Sequence, residues 1–238
     1  MNVIEEVGKY HDYAVSMRRE FHKHPELSWK EVETAGRIRD ELAGMGIPYE
    51  EVAGTGTIAT LKGKEDQPVI GLRCDIDALP IREVKSLPYC SQNQGVMHAC
   101  GHDAHISMLL TAARVLAEHQ DELKCTVKLI FQPAEELTNG AVKVLESGMV
   151  GKLDTVAGMH IFPYLESGTI SVDPGPRYTS ASFMNIKIIG KSGHGAMPQY
   201  AVDPIYVGAK VVDALQSIAS RETSPMDTVV VSICTFHS

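Results

Sequence analysis

The sequence lacks a long hydrophobic run, a block of positive charge and a regular set of paired cysteines. No apolar stretch approaches the roughly 20 residues that cross a membrane. Residues 1–20 carry four acidic side chains where a signal peptide needs an apolar core. The formal net charge of −8, without a lysine and arginine cluster, argues against nucleic acid as a partner. We therefore expect neither a membrane nor a nucleic acid to bind this chain.

Cysteine is sparse and irregularly placed. The chain has five cysteines, and their odd number and uneven spacing do not form the paired framework of a disulfide-stabilised domain. This pattern favours a reducing, cytoplasmic location. In that environment a thiol such as Cys100 stays available to bind a metal ion as the thiolate.

Short apolar runs alternate with helical patterns over the first part of the chain. Apolar residues at helical spacing predict helices over 3–24 and 32–45, and Ser28 and Glu31 have the spacing of a capping box for the second helix. Further helices are expected over 104–118 and 141–146. Strands are predicted at 57–61, 69–74, 126–131, 155–159 and 169–172. This alternation predicts an α/β fold, with a mixed, largely parallel sheet covered by helices on both faces.

Two prolines and a glycine within residues 173–177 interrupt any regular element and mark a domain boundary. We assign residues 1–178 to a first domain and residues 179–238 to a second. The second has the pattern of one β-α-β unit, with strands at 182–189 and 228–234 and a helix at 204–219. One such unit makes only a small, incomplete sheet, so we expect the sequence to be a fragment of a longer protein.

Chemically active residues follow several of the predicted strands. Open α/β sheets bind ligands at the carboxyl ends of their strands. Asp75 and Asp77 follow the strand at 69–74, and His160 follows the strand at 155–159. Glu135 and Glu136 follow the strand at 126–131. We therefore expect these residues to meet at one rim of the sheet.

The sequence Cys100-Gly101-His102 lies immediately before a predicted helix and adds metal-binding side chains to this rim. Gly101 permits a backbone turn sharp enough for both neighbours to face one ion, and a helix N-terminus favours a thiolate. Adjacent glutamates point in different directions, so one can bind a metal while the other reaches a water molecule. A metal can make a nucleophile from water and a carboxylate can take its proton, which indicates a hydrolase centre.

Each of these features also has a purely structural interpretation. Cys100 and His102 could be a buried thiol and a helix cap, the two glutamates a solvated pair, and His160 a core histidine. Their common position at the strand ends favours the metal site. The nearby His98, Asp103 and His105 are expected to support the metal-binding histidines or local structure. Asp75 and Asp77 are either supporting carboxylates or turn residues.

Six stretches that occur in order along the chain resemble one known family. They are residues 18–27, 72–80, 97–105, 131–136, 158–160 and 193–198. Over its whole length the chain is similar to the dinuclear-metal amidohydrolases that include aminoacylases, hippurate hydrolases and plant auxin-conjugate hydrolases. The resemblance implies a catalytic domain of the zinc-peptidase type and a ferredoxin-like α+β satellite domain, of which residues 179–238 are the N-terminal half.

The resemblance also implies roles for individual residues. The residues that match the family's metal ligands are Cys100, His102, Glu136 and His160. Glu135 matches the general base. His194, which spacing alone would leave in a plain surface turn, matches a lid-domain histidine that reaches the partner subunit's active site and binds the substrate carbonyl. In the family a last metal-binding histidine lies near the C-terminus, beyond the end of this chain.

The expected activity is hydrolysis of N-acyl-L-amino acids, with acetyl, benzoyl or similar acyl groups, to a carboxylate and a free amino acid. The expected cofactors are two divalent metal ions per subunit. The resemblance points to manganese or zinc, and the donor set also admits cobalt or nickel. The expected partners are the small-molecule substrate and a second copy of the chain, in a homodimer formed through the satellite domain.

Two other functions remain open at this stage. The first is a dipeptidase or aminopeptidase that uses the same dinuclear site. The second is a non-catalytic binding domain stabilised by zinc. Structural zinc sites are usually closed by four Cys or His ligands, and two glutamates with a single cysteine are a poor match to such a site.

Overall fold

The computed structural model describes residues 2–175, 177 and 180–238 and divides into two compact units. The first unit is Met1–Ile170 and the second is Ser171–Ser238. The predicted boundary between residues 178 and 179 falls outside the described residues. The assignment of the two parts to a catalytic and a satellite domain stays a prediction.

The first unit alternates helices and strands as the sequence predicts. Its helices are α1 (Val3–Gly8), α2 (His11–Lys23), α3 (Val32–Gly44), α4 (His102–Glu118) and α5 (Gly140–Glu146). Its strands are β1 (Tyr49–Val52), β2 (Gly56–Lys62), β3 (Val69–Asp75), β4 (Thr126–Gln132) and β5 (Thr155–Gly158). A short 3₁₀ turn at Gln120–Glu122 links α4 to β4.

These strands form one mixed sheet in the order β1-β2-β4-β3-β5. The β1–β2 and β2–β4 pairs are antiparallel, and β3 runs parallel to both β4 and β5. The predicted mixed α/β sheet is therefore confirmed, with its parallel part at β4, β3 and β5. Because these three strands run the same way, their carboxyl ends meet at one edge of the sheet.

Apolar side chains cover both faces of the sheet. Alternate residues of a strand point to opposite faces, so Leu129 and Phe131 enter one core whereas Ile130 enters the other. The larger core takes its helical side chains from α2, α3 and α4, with Phe21, Ile38 and Leu110 almost completely buried. The smaller core brings α5 against the opposite face. Helices on both faces confirm the expected layering.

Two local expectations for the first helices are wrong. The helix predicted at 3–24 is divided into α1 and α2, because α1 ends at Gly8, a residue with little preference for helical backbone. Ser28 and Glu31 do not form a capping box. Ser28 instead donates a hydrogen bond to Asp77, and Glu31 accepts one from the hydroxyl of Thr55.

The second unit contains the predicted helix, here α6 (Pro204–Ser217), followed by one π-helical turn at Ile218–Glu222. The Asp203 carboxylate caps α6 by accepting from the backbone N–H groups of Ile205 and Tyr206. No strand is observed at 182–189 or 228–234, and the segment at 169–172 is also irregular. A β-strand requires a neighbouring strand to which its backbone is hydrogen-bonded, and among the described residues these segments pair with no such strand. Of the helices that the structure describes, none is long and apolar enough to cross a membrane.

Candidate metal centre

The ends of the three parallel strands bring distant parts of the sequence together. Asp75 at the end of β3 is in register with Gln132 at the end of β4, and Arg73 is in register with Gly158 of β5. The chain continues from these ends into Asp77, the Glu135–Glu136 pair and His160. The predicted convergence of the strand ends at one rim is therefore observed within the first unit.

The N-terminus of α4 supplies Cys100 and His102 to the same rim. Gly101 between them has a φ of 92°, in the left-handed region that glycine adopts without strain. The side chain of Ile161 occupies the space where a β-carbon at position 101 would lie. A larger residue would therefore disturb both the turn and the contact that brings Ile161 against it.

The predicted metal-binding side chains lie close together. Cys100 Sγ is 3.3 Å from Nε2 of His160, and potential donor atoms of Cys100, His102 and His160 lie within 4.8 Å of one another. Donor atoms of His102, Glu135 and Glu136 form a second group of the same size. His102 belongs to both groups, so the structure brings all five residues into one cluster. Their individual roles as ligands and base stay predictions.

Asp77 holds the loop that carries the two glutamates. Its Oδ1 accepts a hydrogen bond from the backbone N–H of Glu135 at 3.1 Å, and its Oδ2 accepts from that of Glu136 at 3.0 Å. Burial would raise the pKa of Asp77, but the adjacent His102 imidazole and hydrogen bonds from Ser28 and this backbone hold that pKa below its usual range. Asp77 is thus a supporting carboxylate rather than a simple turn residue.

Glu31 is a further supporting residue that the sequence analysis missed. Its carboxylate is completely buried, and its Oε1 accepts a 2.8 Å hydrogen bond from the backbone N–H of Ala134. Ala134 has a φ of 48° and directly precedes Glu135. Glu31 therefore stabilises the backbone turn at Ala134, directly before Glu135. In the sequence, Glu31 is marked only as a glutamate before a helix, and a helix-capping residue has the same pattern.

The three expected supporting residues have different surroundings. Asp103 accepts hydrogen bonds from Nδ1 of His22 at 2.7 Å and pairs with Nε of Arg18 at 3.0 Å. His105 pairs with Asp75 through a 2.6 Å contact. His98 is buried, its two ring nitrogens have no hydrogen-bond partner among the described residues, and burial lowers its pKa to about 4.

The predicted substrate-binding histidine, His194, lies in the second unit. Its Nδ1 accepts a 3.1 Å hydrogen bond from the backbone N–H of Ala196, and its carbonyl oxygen accepts from that of Met197. These contacts define a tight, exposed turn before Pro198. The role of His194 in substrate binding stays a prediction.

The charges of the cluster fit a bound cation. Burial by itself would lower the pKa of His102, but the Asp77 carboxylate, Cys100 and Asp75 raise it to about 11. Burial raises the pKa of the Glu136 carboxyl, and the nearby Glu135 carboxylate adds to that effect. Both shifts are typical of a pocket with excess negative charge. A divalent cation would balance this charge.

The atoms themselves also fit a metal ion. Among the described residues, Nε2 of His102 and Oε1 of Glu136 are buried without a hydrogen-bond partner, and they lie 3.7 Å apart. Two donor atoms that bind the same ion, each at about 2 Å from it, lie about 3–4 Å apart. Sulfur, imidazole and carboxylate donors together suit zinc and its neighbours in the first transition series.

Comparisons with known proteins agree with this geometry. N-acetylcysteine deacetylase from Bacillus subtilis (strain 168) is 46% identical over 226 residues, covering 94% of this chain and 60% of that protein. IAA-amino acid hydrolase ILR1-like 4 from Arabidopsis thaliana is 42% identical over 229 residues, covering 96% of this chain and 52% of that protein. The chain thus spans only part of the length of these curated relatives.

A solved structure and a family profile complete the comparison. The crystal structure of a dinuclear metal-binding peptidase of the M20 family from Bacillus subtilis matches with a TM-score of 0.68 and 48% identity, over 71% of this chain and 48% of that one. Residues 71–235 match the profile of peptidase family M20/M25/M40. This segment includes the whole candidate metal cluster and more than half of the sequence. The chain therefore belongs to peptidase family M20/M25/M40.

Proposed function

We propose that the protein is a metal-dependent amidohydrolase that cleaves the amide bond of N-acyl-L-amino acids. The observation that carries the proposal is the position of Glu135, a carboxylate beside the donor atoms of His102 and Glu136 at a strand-end rim. A metal site with an adjacent base is the arrangement that hydrolysis requires. The names of the relatives, a deacetylase of N-acetylcysteine and a hydrolase of IAA-amino acids, support an N-acyl amino acid as substrate.

The proposed metal-binding residues are Cys100, His102, Glu136 and His160, which would hold two divalent ions. Bound ions would polarise the amide carbonyl and lower the pKa of a water molecule to about 7. The donor set supports zinc or manganese, and cobalt or nickel are also compatible. The dinuclear metal-binding relative of known structure supports the number of two ions.

The proposed role of Glu135 is that of general base and then general acid. Its carboxylate takes a proton from the attacking water and later delivers that proton to the nitrogen of the leaving amino acid. The hydrogen bond between its backbone N–H and Asp77 holds the backbone from which this carboxylate extends. His194 is proposed to donate, in the active site of the partner subunit, to the substrate carbonyl oxygen, which becomes negative as water attacks.

The same donor chemistry argues against a closed structural zinc site. Such a site uses four Cys or His ligands, whereas this cluster contains two carboxylates and one thiol. A dipeptidase or aminopeptidase would use the same cluster but would need a pocket for a free amino group. We favour the N-acyl amino acid because both curated relatives described above act on N-substituted amino acids by name.

Assembly and location are further parts of the proposal. We propose a homodimer formed through residues 179–238. Large exposed apolar side chains in this segment, among them Phe183, Met184 and Ile189, support a contact with another protein surface. We also propose a cytoplasmic location. The five cysteines, Cys74, Cys90, Cys100, Cys125 and Cys234, are all free, as they remain under reducing conditions.

Metal analysis combined with a substrate panel tests the proposed function. The full-length protein is assayed with N-acetyl and N-benzoyl amino acids and with matched dipeptides, after its metal content has been measured. We expect about two divalent ions per subunit and faster turnover of the N-acyl amino acids. Faster turnover of dipeptides would favour a peptidase, and no metal-dependent turnover of either class would refute the proposal.

A further inference from the structure

A chain of hydrogen bonds runs from Asp75 through His105 to the peptide that follows His160. Asp75 Oδ1 lies 2.6 Å from Nδ1 of His105, and the backbone N–H of Ile161 donates to Nε2 of His105 at 3.0 Å. Asp75 and His105 are each only 1% exposed. Hydrogen bonds therefore hold the imidazole of His105 at both ring nitrogens, in the protein interior next to the candidate metal centre.

These two hydrogen bonds determine which nitrogen of His105 carries its proton. A backbone N–H can donate only to a ring nitrogen that has no proton, so Nε2 of His105 is the acceptor. The proton must then be on Nδ1, from which it is donated to the Asp75 carboxylate. Each contact requires the same tautomer, and the two contacts therefore reinforce each other.

Ile161 transmits this order to His160. The Nδ1 of His160 donates to the carbonyl oxygen of Ile161 at 2.7 Å, and its Nε2 lies 3.3 Å from Cys100 Sγ. The rings of His105 and His160 also meet edge to face, with centroids 4.6 Å apart. His160 lies beyond the last residue of β5, so the sheet itself does not fix its backbone.

The side chain of Ile161 contributes a second attachment. It packs against Gly101, in the space that a side chain at that position would fill. Ile161 thus joins the segment of His160 to the turn that carries Cys100 and His102. The backbone of Ile161 contacts the part of the donor cluster that contains His160. Its side chain contacts the turn that carries Cys100 and His102.

We propose that His105 is a positioning residue: supported by Asp75, it holds the backbone N–H of Ile161 and, through the backbone of Ile161, sets the place and the tautomer of the His160 imidazole for metal binding. The inference rests on the proposed metal centre. A merely structural His–Asp pair would stabilise the fold in the same way but would not control metal affinity separately from stability.

Two substitutions separate the two contacts of His105. In His105→Asn the amide nitrogen lies near the former Nδ1 and keeps the donor to Asp75, but no acceptor reaches Ile161. In His105→Gln the amide oxygen lies near the former Nε2 and keeps the acceptor for Ile161, at the expense of Asp75. The exposed His11 provides a control, His11→Asn, outside the candidate site.

The measurements are the affinity for added Zn²⁺ or Co²⁺, hydrogen exchange of the Ile161 amide in the metal-free protein, and thermal unfolding. We expect His105→Asn to expose the Ile161 amide to exchange and to weaken the binding of one ion by about 10–100-fold. His105→Gln should retain more of the affinity than His105→Asn, and His11→Asn should match the parent. Equal affinity losses in both His105 variants, in proportion to lost stability, would overturn the inference in favour of a structural pair.

A measurement on the unmodified protein keeps the inference testable if the variants do not fold. Nitrogen chemical shifts of the imidazoles should show His105 and His160 both protonated at Nδ1 in the metal-free protein. A proton on Nε2 of His105 would overturn the inference. Absence of metal binding by the unmodified protein would refute the proposed function instead, and would leave the tautomer and exchange results readable.

Discussion

The carbonyl oxygen of Asp77 accepts a 2.8 Å hydrogen bond from Nδ1 of His102. This contact leaves Nε2 of the buried imidazole directed toward the carboxylates of the strand-end rim, where a metal ion fits. Metal-binding histidines commonly have their second nitrogen fixed in this way, because the bond determines both the tautomer and the ring orientation. One residue thus orients His102 with its backbone and the glutamate pair with its side chain.

The substitution Asp77→Asn tests this double role. It replaces one acceptor oxygen by an amide group that faces the backbone N–H of Glu135 or Glu136, so one donor loses its partner. We expect a loss of about 1–3 kcal/mol in the free energy of unfolding. Metal affinity or turnover should fall by about 10–100-fold.

Denaturant unfolding and metal titration measure the two effects of Asp77→Asn. Asp66 is exposed, so Asp66→Asn removes one negative charge at a distance from the rim and serves as the control. If Asp77→Asn bound metal and unfolded like this control, Asp77 would have no supporting role.

The substitution Glu135→Gln tests the proposed general base. Glutamine keeps the size of the side chain and an oxygen, but it cannot take a proton. We expect turnover to fall by about 10²–10⁴-fold while metal content stays close to that of the parent. Metal analysis and kcat on the same preparation provide the comparison, with the exposed Glu146→Gln as control. Full turnover in Glu135→Gln would show that another group moves the proton.

The sheet was predictable because each of its long strands carries its own local pattern. The runs at 57–61, 69–74 and 126–131 are apolar and bounded by polar or turn residues. In the structure the first extends by one residue at each end, and the other two extend by one residue at the carboxyl end. Strand β1 was not predicted, since three of its four residues are exposed and two are glutamates. It is a strand because β2 supplies a hydrogen-bonding edge, which is a tertiary cause.

The candidate site was predictable in its residue types but not in its supports. Cys100, His102, Glu135, Glu136 and His160 were found because they follow strands or precede a helix. The contact between Glu31 and Ala134 spans 103 residues of sequence and leaves no local pattern. Supports of this kind are fixed only when the whole unit folds. The same reason explains why Asp77 could not be distinguished from a turn residue.

The larger core should tolerate little change next to the rim. Phe131 is completely buried, one residue before the end of β4, and packs among side chains from the helices and the sheet. We expect Phe131→Ala to lower the free energy of unfolding by about 3–5 kcal/mol, because it removes a buried ring and leaves a cavity. Phe162 is 58% exposed, so Phe162→Ala should change stability by less than about 0.5 kcal/mol. Equal effects of the two substitutions in urea unfolding would contradict this view of the core.

Removal of metal distinguishes a catalytic centre from a structural one. The two apolar clusters hold the sheet and helices together through side chains that are not metal donors, so the metal-free protein should keep its helical circular dichroism and unfold cooperatively. Binding to the folded state at 100 times the dissociation constant adds about 2.7 kcal/mol of stability, so chelation should lower the Tm without unfolding the protein at 25 °C. Added Zn²⁺ or Mn²⁺ should restore both Tm and turnover. Loss of the circular dichroism signal on chelation would instead favour the zinc-stabilised binding domain, because a structural ion supplies the folding free energy itself.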